Sequence, residues 1–131
     1  MARPRHKNPT PAELEVLQII WEHGPCTVRE VMNLLSPKRP RAYTSVMSLM
    51  NVMADKGMLK QKAEGKAFVY SEKVSRDKTQ SRMLGDLLSR AFDGSASALV
   101  THLLRQAKPN SEELEEIHRT IAEFTRKREN A

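Results

Sequence analysis

The chain has 131 residues, of which 29% are charged and 5% aromatic, and it carries a formal net charge of +6. That length suits one domain, or a small domain with an appendage. No run of about 18 apolar residues occurs, which excludes a membrane-spanning helix. The lone Cys26 excludes an internal disulfide and points to a reducing, cytoplasmic setting. The opening "MARPRHKNPTP" is basic with no apolar segment behind it. It predicts a charged tail over residues 1–9 and no secretory signal.

The first helix follows from "TPAELEVLQIIWEHG". Thr10 is its expected N-cap, Pro11 its first position and Glu13 the partner of a capping box. Leu14, Leu17, Ile20 and Trp21 form the expected inner face. "TVREVMNLL" repeats the device with Thr27 and Glu30, and directs Val28, Val31, Met32 and Leu35 inward. "PKRPR" then makes a stiff basic connection. A third helix is expected from about Ala42 to Lys56, with Val46, Leu49, Met50 and Met53 on its core side and Gly57 in the left-handed position after it. Residues 59–62 and 67–71 read as two strands, with Glu64-Gly65-Lys66 as the turn between them. Phe68 and Tyr70 share one face of that hairpin.

Three helices and a hairpin within about 70 residues form the layout of a winged helix-turn-helix domain. The competing reading is a generic three-helix domain with an incidental hairpin. From Arg76 the strand signals stop. Leu87, Leu88 and Phe92 lie on one helical stretch, and Leu99 and Leu103 on a second that Ser95 caps and Pro109 ends. A third begins at Asn110 and carries Leu114, Ile117, Ile121 and Phe124 as a narrow seam. Short amphipathic helices of this kind bury their apolar faces poorly alone. The expected class is therefore mainly α with a small β-hairpin: a winged-helix domain over residues 1–75 and an α-helical dimerisation arm over residues 76–131. A compact three-helix lobe is the other reading of the arm.

Charge follows the same division. Residues 1–75 hold 12 Lys+Arg against 7 Asp+Glu, whereas residues 76–131 hold 10 against 9. The basic half points to nucleic acid. On the third helix, Tyr43, Thr44, Ser45, Ser48 and Asn51 would face outward, and short hydroxyls and an amide suit base-edge hydrogen bonds. Lys38, Arg39 and Arg41 at the helix mouth, and Lys60, Lys62 and Lys66 on the hairpin, would meet phosphates. A protein-interaction module on the same scaffold is the alternative. Enzyme signals are weak. His6, His23, His102 and His118 are scattered and make no metal-ligand pattern with Cys26. No phosphate-binding glycine loop occurs, and no cofactor is expected. Cys26, next to the Thr27 cap, is either a reactive thiol or a small buried hydrophobe.

The blocks "TPAELEVLQIIWEHGPCTVREV", "RAYTSVMSLMNVMADKGML", "GKAFVYSEKVSRD", "FDGSASALVTHLL" and "SEELEEI" together resemble the BlaI/MecI family of penicillinase-type repressors over almost the whole chain. The resemblance implies a homodimeric transcriptional repressor that reads an inverted-repeat DNA operator. The family's base-reading positions correspond to Tyr43, Thr44 and Ser45, with Ser48 and Asn51 beside them. It also implies release by proteolysis of the dimerisation helices, in which a membrane sensor-protease takes part. The cut bond, Asn-Phe in the best-known relatives, falls here at His102-Leu103. This departure bears directly on whether the same protease acts. Copper-responsive relatives have a C-terminal cysteine cluster that this chain lacks.

Overall fold

The computed structural model describes residues 8–35, 37 and 40–130. Local signals at the helix starts act as the sequence implies. Helix α1 (Pro11–His23) begins at Thr10, whose hydroxyl accepts the Glu13 N–H at 3.2 Å while the Glu13 carboxylate accepts the Thr10 N–H at 2.9 Å. Helix α2 (Val28–Leu34) repeats this arrangement between Thr27 and Glu30, at 3.1 and 2.8 Å. Helix α3 runs Tyr43–Asp55. Gly57 follows at φ +87°, the conformation that an L side chain resists.

Strands β2 (Leu59–Glu64) and β3 (Ala67–Glu72) form the hairpin, one or two residues longer than the sequence implies. Its turn is Gly65-Lys66 alone, since Glu64 already pairs with Ala67, and Gly65 has φ +61°. A further strand, β1 (Cys26–Thr27), pairs antiparallel with β3, so the sheet order is β1-β3-β2. Two residues show no alternation, so only the tertiary position of Cys26 opposite Tyr70 makes them a strand. This is a winged helix: three helices pack on a small antiparallel sheet, and the β2–β3 hairpin is the wing.

The core joins Val16, Leu17 and Ile20 of α1 to Val31 of α2, to Val46, Met50 and Met53 of α3, and to Leu59 and Tyr70 of the sheet. Helix α1 is turned by about one residue from the expected face: Val16 is fully buried, whereas Leu14 is half-buried. Glu13 is also buried on the inner stripe and accepts a hydrogen bond from Lys56 Nζ on its second oxygen at 2.8 Å. Trp21 lies at the rim of this core and donates its indole N–H to the Val74 carbonyl at 3.0 Å. The Arg76 guanidinium lies over its ring, 5.7 Å from the centroid.

Burial by itself would raise the Glu13 carboxyl. The Lys56 and Thr10 hydrogen bonds and the Lys56 charge outweigh it and hold the group below the usual carboxylate range. A group depressed in the folded state contributes stability above its unfolded pKa and loses that contribution as pH falls through the folded value. Glu13→Gln keeps a capping partner but removes the charge. We expect wild type to melt above Glu13→Gln at neutral pH, and the gap to close as pH falls through the folded-state value, which lies below the usual carboxylate range. Thermal melts from neutral pH down through that value check it; a constant gap would show that the carboxylate charge contributes nothing.

Cys26 is buried within the core, and its Sγ donates to the Gly24 carbonyl at 3.3 Å. Burial first, and the nearby Glu30 charge second, push its thiol up, which disfavours the reactive thiolate. Of the two readings of this residue, the small buried hydrophobe is the one observed.

Helix α4 (Arg76–Ala91) follows, and the chain forms two compact units, the first ending at Gly85 and the second beginning at Asp86. The first turns of α4 belong to the winged-helix unit, where Thr79 is buried at 3% exposure. The second unit holds the end of α4, then α5 (Ala96–Ala107) capped by Ser95 and α6 (Ser111–Glu129) capped by Asn110. Within it, the rings of Phe92 and His102 meet edge to face at 5.3 Å. No residue of α5 or α6 is buried. Among the described residues, no helix is long and apolar enough to cross a membrane.

Candidate nucleic-acid interface

With Val46, Met50 and Met53 turned into the core, helical geometry fixes what α3 turns outward. Thr44, Met47, Ser48 and Asn51 form one exposed stripe along the helix, with Tyr43 and Ser45 at its two sides. All five expected base-reading residues are exposed and lie on this element. Asp55 ends the same stripe with a negative charge. Ala42, at the N-cap position, provides no side-chain cap. The first-turn N–H groups of α3 thus have no cap from Ala42, and with the positive end of the helix dipole they suit an anion.

The expected backbone contacts fare unevenly. Lys38 and Arg39 lie outside the described residues. Arg41 is half-buried, and its guanidinium is paired with Glu15 at 2.8 Å. That pair joins the mouth of α3 to α1. On the wing, Lys60 and Lys62 pair with Ser71 and Val69, whereas Gln61 pairs with Tyr70. Strand alternation therefore puts Lys60 and Lys62 on the sheet face opposite the buried Tyr70, and Lys66 at the exposed turn. Phe68 shares the Tyr70 face, as the spacing implies, but is 52% exposed, because the hairpin tip reaches past the helices that cover Tyr70.

Two features escape a reading of the sequence. Arg29 of α2 lies over the Tyr43 ring, 5.1 Å from its centroid, which adds a cation at the edge of the α3 face. Asn51 is also joined to the wing. The Tyr70 hydroxyl donates to its Oδ1 at 2.7 Å, and Gln61 Nε2 donates to the Tyr70 oxygen at 2.8 Å and to Asn51 Oδ1 at 3.3 Å. No sequence pattern announces either contact, since each joins elements whose relative position is set by packing.

In the second unit, the expected dimerisation residues lie along the helices with little cover. Leu87, Leu103, Leu114, Ile121 and Phe124 are exposed, Phe124 at 72%, whereas Leu88, Phe92, Leu99 and Ile117 are half-buried. His102 and Leu103 lie in the middle of α5, both exposed.

Comparison with known proteins gives a consistent result. The family model described as penicillinase repressor matches residues 9–123. The penicillinase repressor of Bacillus licheniformis is 27% identical over 90% of this chain and 93% of its own length. The transcriptional regulator BlaI of Mycobacterium tuberculosis is 31% identical over 86% of this chain and 81% of its own. Among solved structures, the transcriptional regulator Tm0710 of Thermotoga maritima aligns over 92% of this chain and 77% of its own, with TM-score 0.51 and 17% identity, a likeness of fold alone.

Proposed function

The chain belongs to the penicillinase repressor family, and from that membership we propose that it is a dimeric repressor whose two winged helices read the halves of an inverted-repeat operator. The observation that carries the DNA reading is α3 itself. Opposite its core face the helix presents an exposed, mainly polar stripe of Thr44, Met47, Ser48 and Asn51, with no side-chain cap at its mouth. In this reading Thr44, Ser45, Ser48, Asn51 and the Tyr43 hydroxyl face base edges in the major groove. Lys60, Lys62 and Lys66, with Arg29, meet the phosphates on either side.

The bare apolar faces of α5 and α6 support the dimer. A second copy of the same helices is the occupant that matches them, because a two-fold interface sets each seam against its own equivalent. Two winged helices held together gain effective concentration for the second half-site. Release then follows from cutting or separating the arm. A cut at His102-Leu103 would divide α5, and a membrane sensor-protease that did this would have to accept His-Leu where relatives carry Asn-Phe. Since peptidases act on extended backbone, α5 would also have to unwind locally.

Selection of bound fragments from genomic DNA at about physiological salt tests this reading. We expect an enriched inverted repeat with half-sites about one helical turn apart. Salt-labile binding with no enriched sequence would overturn it.

Two substitutions separate base contacts from backbone contacts. Thr44→Ala should relax preference at one base pair of each half-site. Lys66→Ala should weaken binding evenly across sequences and reduce the salt slope by about 1 for each phosphate that the lysine neutralises. Binding titrations on operator and scrambled DNA at several salt concentrations read both effects. Unchanged specificity in Thr44→Ala would remove α3 from base reading.

A further inference from the structure

Asn51 is an unusual member of the α3 stripe, because its side chain is partly used before any DNA arrives. Tyr70 is 1% exposed, so its hydroxyl cannot rely on bulk water and must be satisfied within the protein. The hydroxyl reaches the seam between α3 and the wing. There its one proton goes to Asn51 Oδ1 at 2.7 Å, and its oxygen accepts from Gln61 Nε2 at 2.8 Å. The Gln61 amide also reaches Asn51 Oδ1 at 3.3 Å. A carbonyl oxygen has two lone pairs, and here both face donors. What Asn51 still offers outward is its NH₂ group, for which the described residues provide no acceptor.

This has a chemical consequence. An asparagine that reads adenine with two bonds needs its oxygen to accept from the base amino group and its nitrogen to donate to N7. With the oxygen taken, that pairing is closed. A donor alone suits an acceptor edge: the N7 and O6 of guanine, the O4 of thymine, or a phosphate oxygen. Gln61 and Tyr70 face each other across the wing strands, so the orientation of Asn51 is tied to the position of the wing. We propose that Tyr70 is a positioning residue for DNA recognition, which fixes Asn51 as a donor-only reader of a base acceptor edge and couples that reading to the seating of the wing. The inference rests on the reading of α3 as the base-contacting helix.

The test uses the full chain and the operator half-site, with all four base pairs placed at each position in turn. Asn51→Ala first identifies the base pair that this residue reads. Tyr70→Phe keeps the buried ring and deletes only the O–H. It should lower discrimination at that same base pair by about fivefold, the scale of one hydrogen bond, with unchanged salt slope and unchanged binding to scrambled DNA. Asn51→Ala combined with Tyr70→Phe should discriminate no worse than Asn51→Ala alone. Gln61→Leu, on an exposed strand position, should act in the same direction without touching the core. Melting temperatures of every variant accompany the binding data. If Tyr70→Phe lowers only the melting temperature, or if its effect falls at another base pair and adds to that of Asn51→Ala, the positioning role is wrong. A strict demand for adenine at the strand position contacted by Asn51 would overturn the donor-only assignment. Unchanged preference in Asn51→Ala would instead overturn the base-reading role of that residue and the inference with it.

Discussion

A chain ended after Gly85 binds the operator about 10²- to 10⁴-fold more weakly than the full chain, yet selects the same half-site sequence; this is the largest effect we expect. The winged-helix unit runs to Gly85, so the cut leaves Thr79 and its packing intact. What it removes is α5, α6 and the end of α4. With two domains linked, binding of the first half-site holds the second domain at an effective concentration near the millimolar range. A single domain forgoes that gain and retains only its own contacts, which are also the contacts most weakened by salt. Titration of both chains on the full operator and on one half-site measures the effect. Equal affinities on the full operator would mean that the second unit does not join two domains, and the proposed route of release would fail with it.

Met50→Ala destabilises the winged-helix unit by about 2–5 kcal/mol, the range for truncating a fully buried Met, while Met47→Ala stays within about 0.5 kcal/mol. The two residues are three apart on one helix, but Met50 is 0% exposed and Met47 is 38% exposed. For a domain whose whole stability is about 5–15 kcal/mol, the first change removes a large share of it. DNA binding should answer in a different way. Met47→Ala should keep the fold and alter affinity through a contact at the groove face, whereas Met50→Ala should lose binding in proportion to unfolding. Urea denaturation beside binding titrations separates the two. Similar destabilisation by both would mean that α3 is rotated from the orientation described.

The readable parts of this chain were those governed by short-range chemistry. Thr10 with Glu13, Thr27 with Glu30, Ser95 and Asn110 each mark a helix start that the structure contains. The core side of α3 followed from spacing alone. What the sequence left unread has one origin, which is that a polar group can be engaged by a distant partner. Glu13 reads as a cap, and it is one, but it is also buried and bonded to Lys56, 43 residues away, and Val16 rather than Leu14 is fully buried on the inner face. Arg41, expected at a phosphate, is also paired with Glu15 of α1. Asn51, expected at a base edge, also accepts from the Tyr70 hydroxyl. The strand at Cys26–Thr27 and the shared first turns of α4 are likewise products of packing, without a local signature.

The setting of Trp21 gives the molecule a built-in optical gauge. It is the one Trp in the chain, its indole N–H is held by Val74, and its ring lies beneath Arg76 where α4 takes root. Its emission colour depends on how wet that root is. Fluorescence excited at the indole band therefore reports, without any label, whether the base of α4 stays seated on the winged helix when DNA is bound or the arm is cut.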